Sequence, residues 1–488
     1  MSIKKELQLI IKSALDKLNI PISLNKINIV SPKKEITSQY STNIALTLNK
    51  TNPMELANLI KEKITSHIIA NIEVLSPGFI NFSLTQERLH EEINNIITES
   101  KNYGKNNLGN NQKINIEYVS INPTITLDIN STKEAIYGDN LSRIMNFCGY
   151  DVTREYYLNS QNKQSINYGI SPDEYYQQPF LDTSLKQLKQ ELDTIRVNFD
   201  VFTTEQSLYT DGLIEKILTT YKNNNNCYID SDSLWLKVSP SKNVPDHIIV
   251  KNDGEYTDIL ISIAYHINKI ARSYDKLIDI YRVSDKINSL KLSLDLLGYN
   301  SKILDIKTVQ PISLINASEK IIPAISLKEM IEQLDINTIR YLFASRKINT
   351  QMKIDFDLSL AIKNSNENPA YYIEYANTRI SKILNTYKKE IKPKDKYNTL
   401  QTSNTYTIMN KLMKFQDTII NAVEKQHPHL ICNYVYELAT IFHSYYTKEK
   451  ILSNNEEYTA ERMNLLKAIK IVINNSLNLI GIIPREQM

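Results

Sequence analysis

The run from residue 115 to residue 141 offers the most chemistry in this chain. It reads Asn115-Ile-Glu-Tyr-Val-Ser-Ile-Asn-Pro-Thr124, then Leu127-Asp-Ile-Asn-Ser131, then Tyr137-Gly-Asp-Asn-Leu141. Glu117 is a carboxylate that can pair with a cation. Ser131 can donate one hydrogen bond. Asp128 puts a fixed negative charge beside them and would repel an anionic ligand. The plainer reading makes Ser131 a helix cap, Asp128 an exposed turn residue and Glu117 a solvated carboxylate at a strand edge. No histidine stands between His90 and His247. There is no Gly-x-Gly-x-x-Gly and no Walker-type loop, so those two phosphate cradles are excluded. Cys148, Cys227 and Cys432 are too far apart in sequence to suggest a zinc site or a disulfide framework, which fits a reducing cytoplasm.

Periodicity indicates the elements that would position these groups. Ile114 to Val119 alternates like a strand, 131–147 reads as a helix and 151–157 as a second strand. Ser131 and Glu134 have the spacing of a capping box, and Gly149 is a C-terminal stop. Strand, helix and strand in so short a run predict a βαβ unit and a parallel sheet. Upstream, Leu7, Ile10, Ile11, Ala14, Leu15 and Leu18 form an apolar helical stripe, and a second helix enters through Asn52-Pro53. Short strands at 72–74 and 79–82 flank the turn Ser76-Pro-Gly78. The stretch Lys101 to Lys113 reads as a polar linker. Later strands are expected at 247–251, 277–282 and 303–314, separated by helices at 261–272 and 286–297. From about 327 the pattern is helical, with no strand after Leu314, so a bundle should close the chain.

The 488 residues are enough for two or three domains. Hydrophobic content of 42% and charged content of 23% describe an ordinary globular protein. No apolar run is long enough to span a membrane, and no signal peptide is apparent. A net charge of +3 leaves nucleic-acid binding to a local patch. Glycine is scarce at 10 residues, while Tyr (30) outnumbers Phe (10), as codon bias in an AT-rich genome would produce.

The 115–141 segments resemble the opening of the catalytic domain in the arginyl-tRNA synthetase family. The resemblance continues in order along most of the chain. It includes Tyr40-Ser-Thr-Asn-Ile-Ala-Leu46, Pro77-Gly-Phe-Ile-Asn-Phe82, Gly149-Tyr-Asp-Val-Thr-Arg-Glu-Tyr-Tyr157 and Phe199-Asp-Val-Phe202. Leu234-Trp-Leu-Lys237, Ile263-Ala-Tyr-His266, Asn368-Pro-Ala-Tyr-Tyr-Ile-Glu-Tyr-Ala376 and Gly481-Ile-Ile-Pro-Arg-Glu-Gln-Met488 follow. The resemblance implies an α/β protein with a Rossmann-type parallel-sheet catalytic domain at 113–330. An α+β domain at 1–90 would contact the tRNA elbow, and an all-α anticodon-binding bundle would fill 331–488. It also implies a monomer that binds tRNA, specifically tRNA(Arg), without a membrane partner.

The chain departs from the family where the chemistry should be. The family carries His-x-Gly-His at the start of its first catalytic helix, and Asp128, Ile129, Asn130 and Ser131 stand there. Its Lys-Met-Ser-Lys loop falls on Asn316-Ala-Ser-Glu-Lys320, where Ser318 survives, Asn316 and Glu319 replace lysines, and Lys320 lies one position on. A third element, rich in glycine and histidine, becomes Arg282-Val-Ser-Asp-Lys-Ile287. Glu117, Asn122 and Gln310 match positions that bind the arginine substrate, while the family's tyrosine and aspartate there appear as Asp258 and Ser262. Tyr40, Asn43, Tyr372, Tyr375 and Arg379 are the matching candidates for RNA contact, by stacking and by phosphate pairing. Losing one preorganised group costs about 10²–10³ in rate, so three altered elements imply that aminoacylation is lost or strongly impaired. No cofactor is then needed; an active enzyme would use ATP with magnesium. Two other readings remain open: a working arginine–tRNA ligase with a rearranged site, and an interaction protein whose partner is not RNA.

Overall fold

The computed structural model describes residues 2–32, 38–48, 52–122, 125–158, 178–238, 244–282, 287–315, 321–322, 324–349, 352–355 and 368–487. Helix Ile3–Lys17 opens it, with the Ser2 hydroxyl accepting from the Lys5 N–H and Ile3, Leu7, Ile11, Ala14 and Leu15 buried along one stripe. That stripe packs on helix Pro53–Lys63, which the Asn52 side chain caps. Four antiparallel strands, β1 (Ile29–Val30), β2 (Tyr40–Thr42), β3 (Ile69–Leu75) and β4 (Phe79–Leu84), form a sheet in the order β1-β2-β4-β3. Helix Gln86–Glu99 follows. This is the expected α+β unit.

The stretch after it is not a free linker. Tyr103 is fully buried, donates to Glu92 at 2.6 Å and stacks on Phe415. Gly104 lies against Phe415 and Ile419, where a Cβ would clash. Gly109 likewise lies against Tyr150, so both glycines of this stretch mark close packing rather than looseness.

Three parallel strands come next: β5 (Lys113–Glu117), β6 (Asp151–Leu158) and β7 (Val201–Thr204). Strands β8 (Cys227–Asp230), β9 (Ser233–Leu236) and β10 (His247–Val250) then make a separate antiparallel sheet. Strands β11 (Lys276–Arg282) and β12 (Leu304–Val309) return to the parallel one. Its order is β12-β11-β5-β6-β7, all parallel. The expected strand at 247–251 thus exists but lies outside the parallel sheet. Helix Ile129–Phe147 connects β5 to β6. Gly138 in it meets the Tyr118 ring so closely that a Cβ would overlap the ring.

Two expectations fail in this region. The helix starts at Ile129, and its capping box is Asp128 with Ser131, instead of Ser131 with Glu134. Strands also continue past Leu314. β13 (Ile312–Ile315) pairs antiparallel with β14 (Ile321–Ile322) and parallel with β15 (Met352–Asp355). From Pro369 the described chain is helical: Pro369–Thr386, Ser403–Met413, Phe415–Glu424, His429–Lys448 and Glu456–Leu479. One apolar core runs from the N-terminal unit through the β5–β6 side of the sheet into this bundle. A second core fills the space around helices Leu213–Asn223, Asp258–Ala271 and Ile287–Leu296. The C-terminal segment folds back on the sheet domain. Arg340, fully buried, bonds the Ile480 carbonyl, Asp139 and Asn140 together.

Candidate active site at the centre of the parallel sheet

The sheet grows outward from β5 through β6 to β7 on one side and through β11 to β12 on the other. The crevice beyond the C-terminal ends of β5 and β11 is therefore the topological switch point, where open α/β sheets bind ligands. The chain leaves β5 in an unusual way. Val119 and Ser120 adopt left-handed backbone angles, φ 73° and 41°, which is costly for a β-branched residue such as valine. Ser120 donates to Glu117 at 3.0 Å and accepts from the Tyr157 N–H, fixing the turn.

The helix Ile129–Phe147 aims its N-terminus at this crevice. Such an end is a ready anion site, with unpaired N–H groups and a favourable dipole. Here the chain supplies the anion itself. The Asp128 carboxylate accepts from the Ser131 N–H at 2.7 Å and from its hydroxyl at 2.6 Å. Arg282, the last residue of β11, reaches the same carboxylate at 3.2 Å and Glu134 at 2.6 Å. Burial lifts the Glu134 carboxyl to about 7, with Arg282 opposing the rise. Asn130 is committed too: its side-chain oxygen accepts from the Ile312 N–H at 2.7 Å. Lys133 donates to the Gln310 carbonyl at 2.7 Å, and burial lowers its ammonium to about 8.

One layer deeper, Asp279, Glu117 and Glu155 are register partners on β11, β5 and β6. They form a row of three carboxylates across the sheet, each at most 1% exposed. Helix Asp258–Ala271 and the residue after it supply the counter-charges at a spacing of three. His266 meets Asp279 at 2.6 Å. Lys269 meets Glu117 at 2.5 Å and Asp279 at 2.8 Å. Arg272 meets both Glu155 oxygens at 2.8 Å. Desolvation raises Glu117, against the pull of Lys269. Asp279 sits well below the usual carboxylate range: Lys269 and His266 outweigh its burial. Glu117 is therefore no solvated strand-edge group.

Known proteins with this layout support a single assignment. The arginyl tRNA synthetase N terminal domain family matches residues 5–84, the class I (R) tRNA synthetase catalytic domain 92–170, and the DALR anticodon binding domain 373–488. The arginine–tRNA ligase of Bacillus subtilis is 30% identical over 98% of both chains. Arginine–tRNA ligase 1 of Halalkalibacterium halodurans is 31% identical over 94% of both. The chain belongs to the arginine–tRNA ligase family. Among solved structures, the Thermus thermophilus arginyl-tRNA synthetase superposes over the whole of both chains with a TM-score of 0.81 at 16% identity, a likeness of fold.

Measured against this family, the remaining candidates fall unevenly. Asn122 is buried, Gln310 is half-buried just after β12, Asp258 is exposed, and Ser262 accepts from His266 through its carbonyl. Asn316, Ser318, Glu319, Lys320 and 283–286 lie outside the described residues. Tyr40 does not face solvent. It is fully buried and donates to Asp417 of the bundle at 3.2 Å, so it joins two parts of the protein instead of presenting a ring to RNA. Asn43 is half-buried ahead of helix Ile44–Thr47. Tyr372, Tyr375 and Arg379 do come together, on the first bundle helix. Arg379 lies over the Tyr375 ring at 4.5 Å and the Tyr446 ring at 4.4 Å, and Tyr372 packs on His443 at 4.4 Å. Sequence reasoning missed Lys269, Asp279, Glu155 and Arg272. Their signal was present: ionisable residues inside apolar strands, facing a helix with basic groups every third residue.

Proposed function

We propose that this chain is a tRNA-holding member of its family in which aminoacylation is lost or strongly impaired. The observation that carries the reading is the Asp128 carboxylate at the N-terminus of helix Ile129–Phe147. A class I active site needs positive or donor groups where ATP develops negative charge. In this chain that helix end carries a bound carboxylate of its own, with Arg282 and Ser131 already committed to it. A triphosphate would have to displace it and then meet Glu134 behind it.

The partner in this reading is tRNA(Arg), held by a monomer through the unit at 1–90 and the bundle at 331–488, with the sheet domain at 113–330 between them. The aromatic and guanidinium surface of Tyr372, Tyr375 and Arg379 supports the bundle's share, since bases stack on such rings. The compartment is the cytoplasm; among the described residues no helix is long and apolar enough to cross a membrane. No cofactor is required. ATP with magnesium would enter only in an active enzyme, as substrate.

Two titrations test this. ATP added to the protein in a calorimeter should give no saturable heat up to millimolar concentration; micromolar binding would contradict the reading. A gel-shift series with arginine tRNA against an unrelated tRNA should favour the former. Equal affinity for both would leave a partner other than tRNA(Arg) as the better account.

A further inference from the structure

With a net charge of only +3, any hold on RNA phosphates must come from a local patch. A basic patch lies where the bundle meets β12, the edge strand of the parallel sheet. The loop between helices Phe415–Glu424 and His429–Lys448 is pinned there from two sides. The Gln426 side chain donates to Asp305 of β12 at 2.8 Å, and the Gln426 carbonyl accepts from the Tyr137 hydroxyl at 2.8 Å. Gln426 takes a left-handed backbone, φ 53°, which is uncommon outside glycine. The turn so fixed sets the His427 and His429 rings 4.9 Å apart. Lysines act on His427 from three elements: Lys425 on the loop, Lys307 on β12 and Lys347 in the segment after helix Ile336–Ala344. Lys347 and Lys425 are exposed and have no ion-pair partner among the described residues. Little negative charge opposes them. Asp305 is already paired with Lys276 at 2.8 Å and Lys307 at 2.9 Å. Glu424 acts on Tyr150 instead, and helix His429–Lys448 has no carboxylate in its first turn.

We infer that this junction binds the phosphodiester backbone of RNA, and that His427 takes up a proton when the phosphates arrive. As a contact for tRNA, the site rests on the proposed function. Phosphate oxygens would accept from the free ammonium groups and from the imidazolium, as charge-assisted hydrogen bonds. Without RNA both imidazoles are held neutral. Burial lowers His427, and Lys347, Lys425 and Lys307 add to it. Burial, with His427 and Lys347, pushes His429 down to about 4. A polyanion laid over the lysines cancels the electrostatic share of this and favours the charged ring. His427 is half-buried and can respond; His429, 6% exposed, stays neutral.

The test compares the binding of octauridylate and of tRNA(Arg) at about pH 7.5 and about pH 6. Neither the phosphodiesters nor uracil titrates in that window, so any pH dependence of octauridylate binding comes from the protein. One linked proton changes affinity by at most about tenfold per pH unit, so both ligands should bind about three- to tenfold more tightly at the lower pH. His427→Gln should abolish the difference, whereas His67→Gln, at an exposed histidine of the N-terminal unit, should keep it. Lys347→Gln should weaken both ligands at either pH and reduce the salt slope by about 1. A further measurement needs no variant: calorimetry of wild type in two buffers of different ionisation enthalpy should show proton uptake on binding. Binding without proton uptake, or unchanged by Lys347→Gln, overturns the site. If tRNA(Arg) binds in that indifferent way, the proposed function stands without this contact. If octauridylate shows the proton linkage and tRNA(Arg) does not bind, the site stands and the proposed function fails. Failure of both ligands to bind overturns both.

Discussion

Asp128 accepts from two donors of Ser131 and meets Arg282, so its carboxylate serves as helix cap and as internal anion at once. Asp128→Ala should therefore cost about 1 kcal/mol of stability, the usual value of an N-cap, read as a shift in denaturation midpoint at unchanged slope. Asp128→Asn should keep most of it. Installing Asp128→His, Asn130→Gly and Ser131→His together should strengthen ATP binding in calorimetry if the remaining scaffold is sound. No gain over wild type would mean that the first motif is not what limits binding. Asp128 was legible in the sequence because a carboxylate in that turn is chemically conspicuous. The pairing of Lys269 with Glu117 was not, because the partners are 152 positions apart and only the sheet register brings Asp279 beside them.

The N-terminal unit and the bundle meet along a seam of polar side chains. Gln39 donates to Tyr406 and Asn410, Asn94 bonds Tyr397 and the Lys394 carbonyl, and Tyr40 donates to Asp417. Asp417 is 6% exposed, and burial lifts its carboxyl to about 6, with Lys4 opposing the rise and Glu92 adding to it. A carboxyl raised above its unfolded value of about 3.8 contributes stability that is complete below that value and is lost as pH rises through about 6. The difference of about two units corresponds to at most about 3 kcal/mol. Asp417→Asn should flatten the dependence of stability on pH between about 4 and 7, read as the change in denaturation midpoint across a pH series. An identical profile for wild type and variant would exclude Asp417 as its source. At this scale the sequence served well where periodicity is long, as in helix Ile3–Lys17 and the bundle helices. It failed at β15, whose four residues become a strand only by pairing with β13 some 40 positions earlier. It failed also around Tyr103, where polar neighbours hide one deeply buried ring.

At the scale of the whole molecule the proposed function places tRNA on the N-terminal unit and the bundle, with the sheet domain between them carrying its own carboxylate at the helix N-terminus. The net charge of +3 supplies little long-range attraction, so tRNA binding should be weak and fall steeply with added salt. Within it, Tyr375→Ala should weaken binding by about 5- to 100-fold if a base stacks there. Arg379→Ala should lower affinity and flatten the salt dependence; unchanged affinity in both variants would move the RNA surface elsewhere. The overall architecture was readable because landmarks keep their order along the chain. The ion pairs around Asp128 were not readable, because Arg282 meets it from a strand 154 positions later in the chain. ATP–pyrophosphate exchange with arginine and tRNA(Arg) present tests the central claim most directly. The account predicts no exchange above background, and exchange at a rate typical of a working synthetase would contradict it.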